Sequence, residues 1–373
     1  ADQPEIEADV RRTIGITYQD LGLYDEAETQ LQRALNLRRT HLGPNHAETA
    51  QSLKDFALVK HWQGDLNTAA TYYQQALALF RTQGTDQVGF AETLNDYGTL
   101  LTDQSAYDEA AAHFDEALAM MRVVRGDEHI DIAAALNNLG LARHWLGDIE
   151  AADSLYRQAL AMRYRLVGPD NIEVAHTLNN LAWVYLDKDD PAGADSLFRA
   201  SLVIRRKQLG DEHPNVALAL LNLATQIYVP QNDYDEADTL LQEALSIFRK
   251  AFPDDHPYTS NALYGLGKVR VNQGRLQEAE ALLKESLAMR KHLFDTANPL
   301  IAVAEIEVGG VLYEQGHYEE AEALLQSSLP KLQATNHVRT QEVLQRLVDL
   351  YTDWNKPDRA AEYRALLAAS DEP

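Results

Sequence analysis

One alanine returns along this chain at a nearly constant interval, and that interval leaves the fold little freedom. It closes a motif made of a turn residue, any residue, Tyr or an aliphatic residue, two further residues and Ala. Gly22-Leu23-Tyr24-Asp25-Glu26-Ala27, Gly64-Asp65-Leu66-Asn67-Thr68-Ala69 and Gly316-His317-Tyr318-Glu319-Glu320-Ala321 are three instances. The anchors are Ala27, Ala69, Ala110, Ala152, Ala194, Ala237, Ala279, Ala321 and Ala360, spaced 39 to 43 residues apart. About nine repeats of some 42 residues therefore fill residues 1–373, with no room for a separate domain. A period of that size is the signature of a solenoid, in which each unit buries its apolar face only against its neighbours.

Each repeat reads as two helices. In the fourth, Ile132, Leu136, Leu139, Ala142 and Leu146 follow helical spacing. Gly147 then ends the helix, because glycine enters the left-handed region without a Cβ clash. A second helix runs from about Ile149 to Leu166. Acids open the second helices (Asp25-Glu26, Asp108-Glu109, Asp235-Glu236), and bases close them (Arg38-Arg39, Arg205-Arg206-Lys207, Arg290-Lys291). That order suits the helix macrodipole, so the basic clusters need no ligand. Linkers such as Leu42-Gly43-Pro44-Asn45-His46 punctuate the repeats. Their histidines, His46, His129, His213 and His256, are expected to bond helix ends, since successive repeats hold them too far apart for one metal. The sixth repeat carries an extra residue near Val229-Pro230. The ninth, over 340–373, reads as a degenerate C-terminal cap, with Val348 where the others have Gly or Ala.

Composition narrows the function. The chain has 57 Asp and Glu against 33 Lys and Arg, a net charge of −24. Nucleic acid and anionic membrane both need a basic surface and are disfavoured. The absence of Cys excludes thiolate metal sites and a cysteine nucleophile. No stretch nears the roughly 18 apolar residues of a membrane-spanning helix, so membrane insertion is not expected. Walker, His-Glu-x-x-His and Gly-x-Ser-x-Gly motifs are missing. Gly265-Leu266-Gly267-Lys268 lies inside a helix pattern, and its glycines read as packing positions. Asp187-Lys188-Asp189-Asp190 starts like a calcium loop, but Pro191 and Ala192 break the template and leave a solvated turn. No catalytic residue, cofactor or metal is expected, and the chain does not read as an enzyme.

The period alone would suit other helical solenoids. Three columns of small residues decide. Twelve before the anchor stand Gly15, Ala57, Gly98, Gly140, Ala182, Gly267 and Gly309, with Ala224 after allowance for the insertion. Seven after it stand Ala34, Ala76, Ala117, Ala159, Ser201, Ala244, Ser286 and Ser328. This pattern resembles the tetratricopeptide (TPR) consensus over nearly the whole chain. Leu136-Asn137-Asn138-Leu139-Gly140, Leu178-Asn179-Asn180-Leu181-Ala182 and the Leu-Gly-x-x-His linker resemble the 42-residue repeats of kinesin light chain. They are equally similar to repeat regions attached to bacterial Ser/Thr protein kinases. The resemblance implies an all-α, right-handed superhelical solenoid of antiparallel helix pairs, with first helices on a concave wall. It also implies a non-catalytic protein-interaction scaffold, such as the regulatory C-terminal region of a bacterial signalling protein. The expected compartment is the cytoplasm, or the exterior if the repeats belong to a membrane-anchored kinase.

The resemblance further implies six inward positions per first helix, at 18, 15, 14, 11, 8 and 7 residues before the anchor. Position −14 holds Asp55, Asp96, Asn138, Asn180 and, after the insertion, Asn222; position −15 holds Lys54, Asn95, Asn137 and Asn179. An asparagine amide donates and accepts, so it can grip a peptide backbone. It can equally bridge adjacent helices. Trp183 falls at −11, His61-Trp62 and His144-Trp145 at −8 and −7, and His176 at −18. Aromatic residues there serve as binding anchors or as interhelix filler. Inward charges in repeats 1–3 are Asp9, Asp20, Asp55, Glu92, Asp96 and Asp103 against Arg12 and Lys54. That sign opposes clamping a C-terminal carboxylate and favours a neutral or basic peptide. Two other readings are a sensor that holds a small ligand or signalling peptide near His61, His144, Trp145 and Trp183, and an architectural module that self-associates through its terminal repeats.

Overall fold

A computed structural model describes residues 3–335 and 337–370. Among them the chain is all-helical, with eighteen α-helices that follow one another as a first and a second helix in each repeat. Repeat 4 shows the pattern: Ile130–Trp145 turns back into Ile149–Val167. The linker histidines do cap helices. The Nδ1 atoms of His46, His129, His213 and His256 accept the backbone N–H of Glu48, Asp131, Asn215 and Tyr258 at 3.1–3.3 Å. Five residues before every anchor the backbone is left-handed. Glycine fills that place in five repeats, whereas Ser105, Asp189, Asn232 and Asn355 hold it at φ of 55–61°. The acidic run at Asp187 is thus an ordinary hairpin turn, with Asp190 capping the next helix through the Gly193 N–H at 2.9 Å.

The small columns are packing positions. A Cβ on Gly98 would stand 2.6 Å from the Phe114 ring, and one on Gly267 would stand 2.6 Å from Leu283. Four of the basic residues at second-helix ends do more than complement a dipole. Arg38, Arg163, Arg205 and Arg290 are buried, and each donates to the carbonyl ten residues on (Glu48, Glu173, Asn215, Leu300) at 2.8–3.3 Å. They tie one repeat to the first turn of the next.

The chain divides into two compact units, Ala1–Ala194 and Asp195–Pro373. The first has a core around Phe56, Tyr73, Phe80 and Phe114. The second packs around Leu283, Ile306, Leu325 and Tyr351. Within each unit a first helix touches the first helix of the following repeat, which makes a wall of first helices.

The extra residue of repeat 6 does not sit in the turn. Its first helix starts as Pro214–Leu223 and continues as a π-helical turn, Ala224–Tyr228. The Val229 N–H reaches back five residues to the Ala224 carbonyl at 2.9 Å. One widened turn takes up the insertion and leaves Ala224 buried in the small-residue column.

Candidate functional site

In the N-terminal unit the −15 residue of one repeat meets the −14 residue of the next. Arg12 donates to Asp55 at 2.5 and 3.2 Å. The Asn138 amide donates to Asn95 Oδ1 at 3.1 Å, and the Asn180 amide to Asn137 Oδ1 at 3.4 Å. The asparagines therefore bridge adjacent helices, and Asn137 is buried while Asn95, Asn138 and Asn180 are partly so. Asn179, Asn222 and Trp183 are also half-buried.

The acids of this wall are largely neutralised from within. Asp9 pairs with Arg38 at 2.5 Å, and Glu92 with Lys54 at 2.8 Å and Arg125 at 2.9 Å. Burial raises the Asp96 carboxyl to about 6, against the pull of Lys54. Burial also acts on Glu92, but Lys54 and Arg125 hold its carboxyl below the usual range. At the ends of the first helices, His61 Nε2 lies 2.6 Å from Asp103 and His144 Nε2 lies 2.5 Å from Asp187. His61 is buried and His144 half-buried, whereas Trp62 and Trp145 are exposed.

The C-terminal unit uses the same positions differently. A cleft of about 680 Å³ is lined by Tyr264, Lys268, Glu307, Arg339, Glu342 and Arg346, among others. A second, of about 400 Å³, shares Tyr264, Lys268 and Val303 with it and reaches Asn222, Thr225, Gln226 and Val229. Its far end is the widened turn of repeat 6. Gly265, at −14 of repeat 7, opens the second cleft, and Gly310, at −11 of repeat 8, lines a smaller recess of about 210 Å³ beside Glu307 and Arg346. Gly267, two residues on from Gly265, does the packing expected of it.

Glu307 is buried at the first cleft. It accepts from Arg339 at 2.7 Å and from the Tyr264 hydroxyl at 3.2 Å, with Arg346 at 3.5 Å and Lys268 at 3.7 Å. Glu342 pairs with Arg339 at 2.6 Å and Arg346 at 2.9 Å. Although burial works against it, these two guanidinium groups hold the Glu342 carboxyl below its ordinary value. Burial and the Glu307 charge push the Tyr264 hydroxyl well above its ordinary value.

The asparagine column, the signal legible in the sequence, ends at Asn222 of repeat 6. The same offsets counted from Ala279, Ala321 and Ala360 give Tyr264, Lys268, Glu307, Glu342 and Arg346. Arg339 had no such signal, because it precedes its helix. Among the described residues no three His, Asp or Glu gather in a metal-holding group, and no helix is long and apolar enough to cross a membrane.

Tetratricopeptide repeat family models match residues 7–82, 89–165, 131–202, 226–292 and 264–336. The chain belongs to the tetratricopeptide repeat family. Nephrocystin-3 of Xenopus laevis is 42% identical over 69 residues, which are 18% of this chain and 5% of that protein. The chain thus matches only a small part of that relative's length. Among solved structures, the apo quorum sensor NprR of B. thuringiensis superposes with a TM-score of 0.63 at 14% identity, over 95% of this chain and 99% of that one. TPR-like repeats of a putative kinesin light chain from Podosopora anserina reach a TM-score of 0.48 at 22% identity, over 56% of this chain and 99% of that one. These likenesses concern the TPR fold.

Proposed function

We propose that this TPR chain is a non-catalytic interaction scaffold that holds an extended peptide, or a segment of a partner protein, along its walls of first helices. One observation carries the reading. In repeats 6–9 the inward positions line two adjoining clefts of about 680 and 400 Å³, a size that suits ligand side chains. Tyr264, Asn222 and Gln226 offer donors and acceptors beside apolar Val303 and Val229. In the N-terminal unit the asparagine rungs of repeats 3–5 stand at the corresponding inward positions. One solenoid across both units, a neutral or basic peptide, a cytoplasmic setting and a place beside a signalling domain are further parts of this reading.

The test is peptide-array binding followed by isothermal titration of the best binder. Tyr264→Ala with Lys268→Ala is expected to weaken that binder at least tenfold, and Asn138→Ala with Asn180→Ala about threefold. Unchanged affinity in both would defeat the groove assignment. The larger cleft also supports a sensor reading, in which a small ligand seats between Tyr264 and Arg346. Such a ligand would raise the melting temperature with the logarithm of its concentration once above its Kd.

A further inference from the structure

The position seven residues before the anchor carries Asp20, Trp62, Asp103, Trp145 and Asp187 through repeats 1–5. Acid and indole alternate along the rim of the N-terminal unit's wall, where the first helices end. All five are exposed, Trp62 by 57% and Trp145 by 62%. Indoles so open contribute little to the core, although they hold one orientation. His61 stacks on Trp62 with 13° between the rings, and His144 on Trp145 with 29°. Trp145 also stacks on Tyr107, with centroids 5.7 Å apart and 11° between planes. Each histidine then bonds the acid of the following repeat, His61 to Asp103 and His144 to Asp187. The result is the same unit made twice, two repeats apart: an indole stacked on a histidine, and a half-exposed carboxylate that the next repeat brings onto that histidine.

The neighbouring columns make the contrast. At −15 and −14 the acids have cations of their own, as Asp55 has Arg12. At −7 repeats 1–5 supply no Lys or Arg. An indole face attracts a cation through its quadrupole, and a carboxylate beside it adds a direct ion pair.

We propose that this column is a docking strip for a basic peptide segment. Lys or Arg side chains lie over the indoles of Trp62 and Trp145 and reach the carboxylates of Asp103 and Asp187. Two equivalent contacts on one strand raise the effective concentration of the second once the first has formed. The chain's charge of −24 steers such a segment inward but does not select the strip; the indoles do. This proposal rests on the scaffold reading and names the chemistry of its ligand.

The probes are two fluorescein-labelled peptides, one alternating Lys with Ser and the other Glu with Ser, followed by fluorescence anisotropy. The lysine probe is expected to bind at least tenfold tighter than the glutamate probe. Trp62→Leu with Trp145→Leu keeps every charge on the protein, so a purely electrostatic attraction would survive it. The double variant is expected to lose about tenfold and each single variant about threefold, with an unchanged circular dichroism spectrum. Asp103→Asn with Asp187→Asn is expected to weaken binding and flatten its salt dependence. Binding of the lysine probe within twofold of wild type in the double leucine variant would overturn the strip, as would equal binding of the two probes. A loss seen with Tyr264→Ala and Lys268→Ala but not with the leucine variant would overturn the strip and leave the scaffold reading standing. A loss confined to the leucine variant would support the strip and count against the cleft.

Discussion

The two units apply one rule to different residues. Both set the −15 residue of a repeat against the −14 residue of the next. In the N-terminal unit the partners are a donor and an acceptor in direct reach, so Arg12 meets Asp55 and asparagine meets asparagine. In the C-terminal unit Tyr264 meets Glu307, with Gly265 and Gly310 alongside, and the wall opens into clefts. Backbone periodicity therefore decides where the wall of first helices lies. Side-chain volume at two or three inward positions decides whether it is a rail or a recess.

The strongest way to break this contrast is to remove the buried carboxylate on which the recess depends. Glu307→Ala leaves Arg339 and Arg346 facing each other with Glu342 alone between them. It is expected to lower the stability of the C-terminal unit by about 3 kcal/mol, since truncating one partner of a buried ion pair strands the other. Denaturation followed at Trp354 should register the loss, while the signal of Trp62, Trp145 and Trp183 in the other unit moves less. A loss below about 1 kcal/mol would mean that the cluster is worth no more than a surface ion pair.

A smaller effect sharpens the account of the closed wall. Asp96 titrates near 6 in the folded chain, above its unfolded value of 3.8. Between those values the folded state binds the extra proton, so its stability falls as pH rises from 4 to 6 and stays reduced above. Asp96→Asn is expected to gain about 1 kcal/mol at pH 7 and almost nothing at pH 4, which is part of what that shift allows. Urea denaturation of both proteins at both pH values isolates the term. Acid-sensitive groups elsewhere, such as His113 and His256, cancel in the difference, whereas the Glu92 charge beside Asp96 is part of the effect. An equal gain at both pH values would defeat it.

The smallest effect is in the turns. Ser105 holds the left-handed place that glycine holds in repeats 1, 2, 4, 7 and 8. Ser105→Gly should relieve that strain and stabilise the N-terminal unit by about 0.5 kcal/mol, the glycine's extra unfolded-state entropy offsetting the remainder. A shift in melting temperature of a degree or two would register it, and a fall would show that the serine compensates through contacts of its own.

Much of the fold was legible because a solenoid writes each structural need many times. Ala27 or Gly98 alone means little; the same offset met eight or nine times leaves few alternatives. The histidine caps were legible for the same reason. The pairing of inward charges was not. Asp55 and Glu92 read as bare acids until the adjoining repeat brings Arg12 and Lys54 against them. Their neutralisation removes much of the charge on which a basic ligand had been argued for repeats 1–3, and leaves the rim as its better basis. The clefts were missed because their signal is a substitution within the pattern, Asn giving way to Tyr, Gly and Glu. The boundary between the units falls inside the helix Pro191–Leu209, where the period runs on without a break.

The widened turn at Ala224–Tyr228 bears on how such an array can change its length. A residue added to a helix rotates everything after it by about 100°, which would turn the next wall away from its neighbours. Here the extra residue is taken up within one turn, and Asn232 and Ala237 return to the phase of the other repeats. The array thus behaves like a clock with a leap second. A single-residue insertion is absorbed inside its helix without disturbing the count, and it leaves a local bulge on the wall of first helices. Variation in length, usually confined to loops, here reaches the wall of first helices itself.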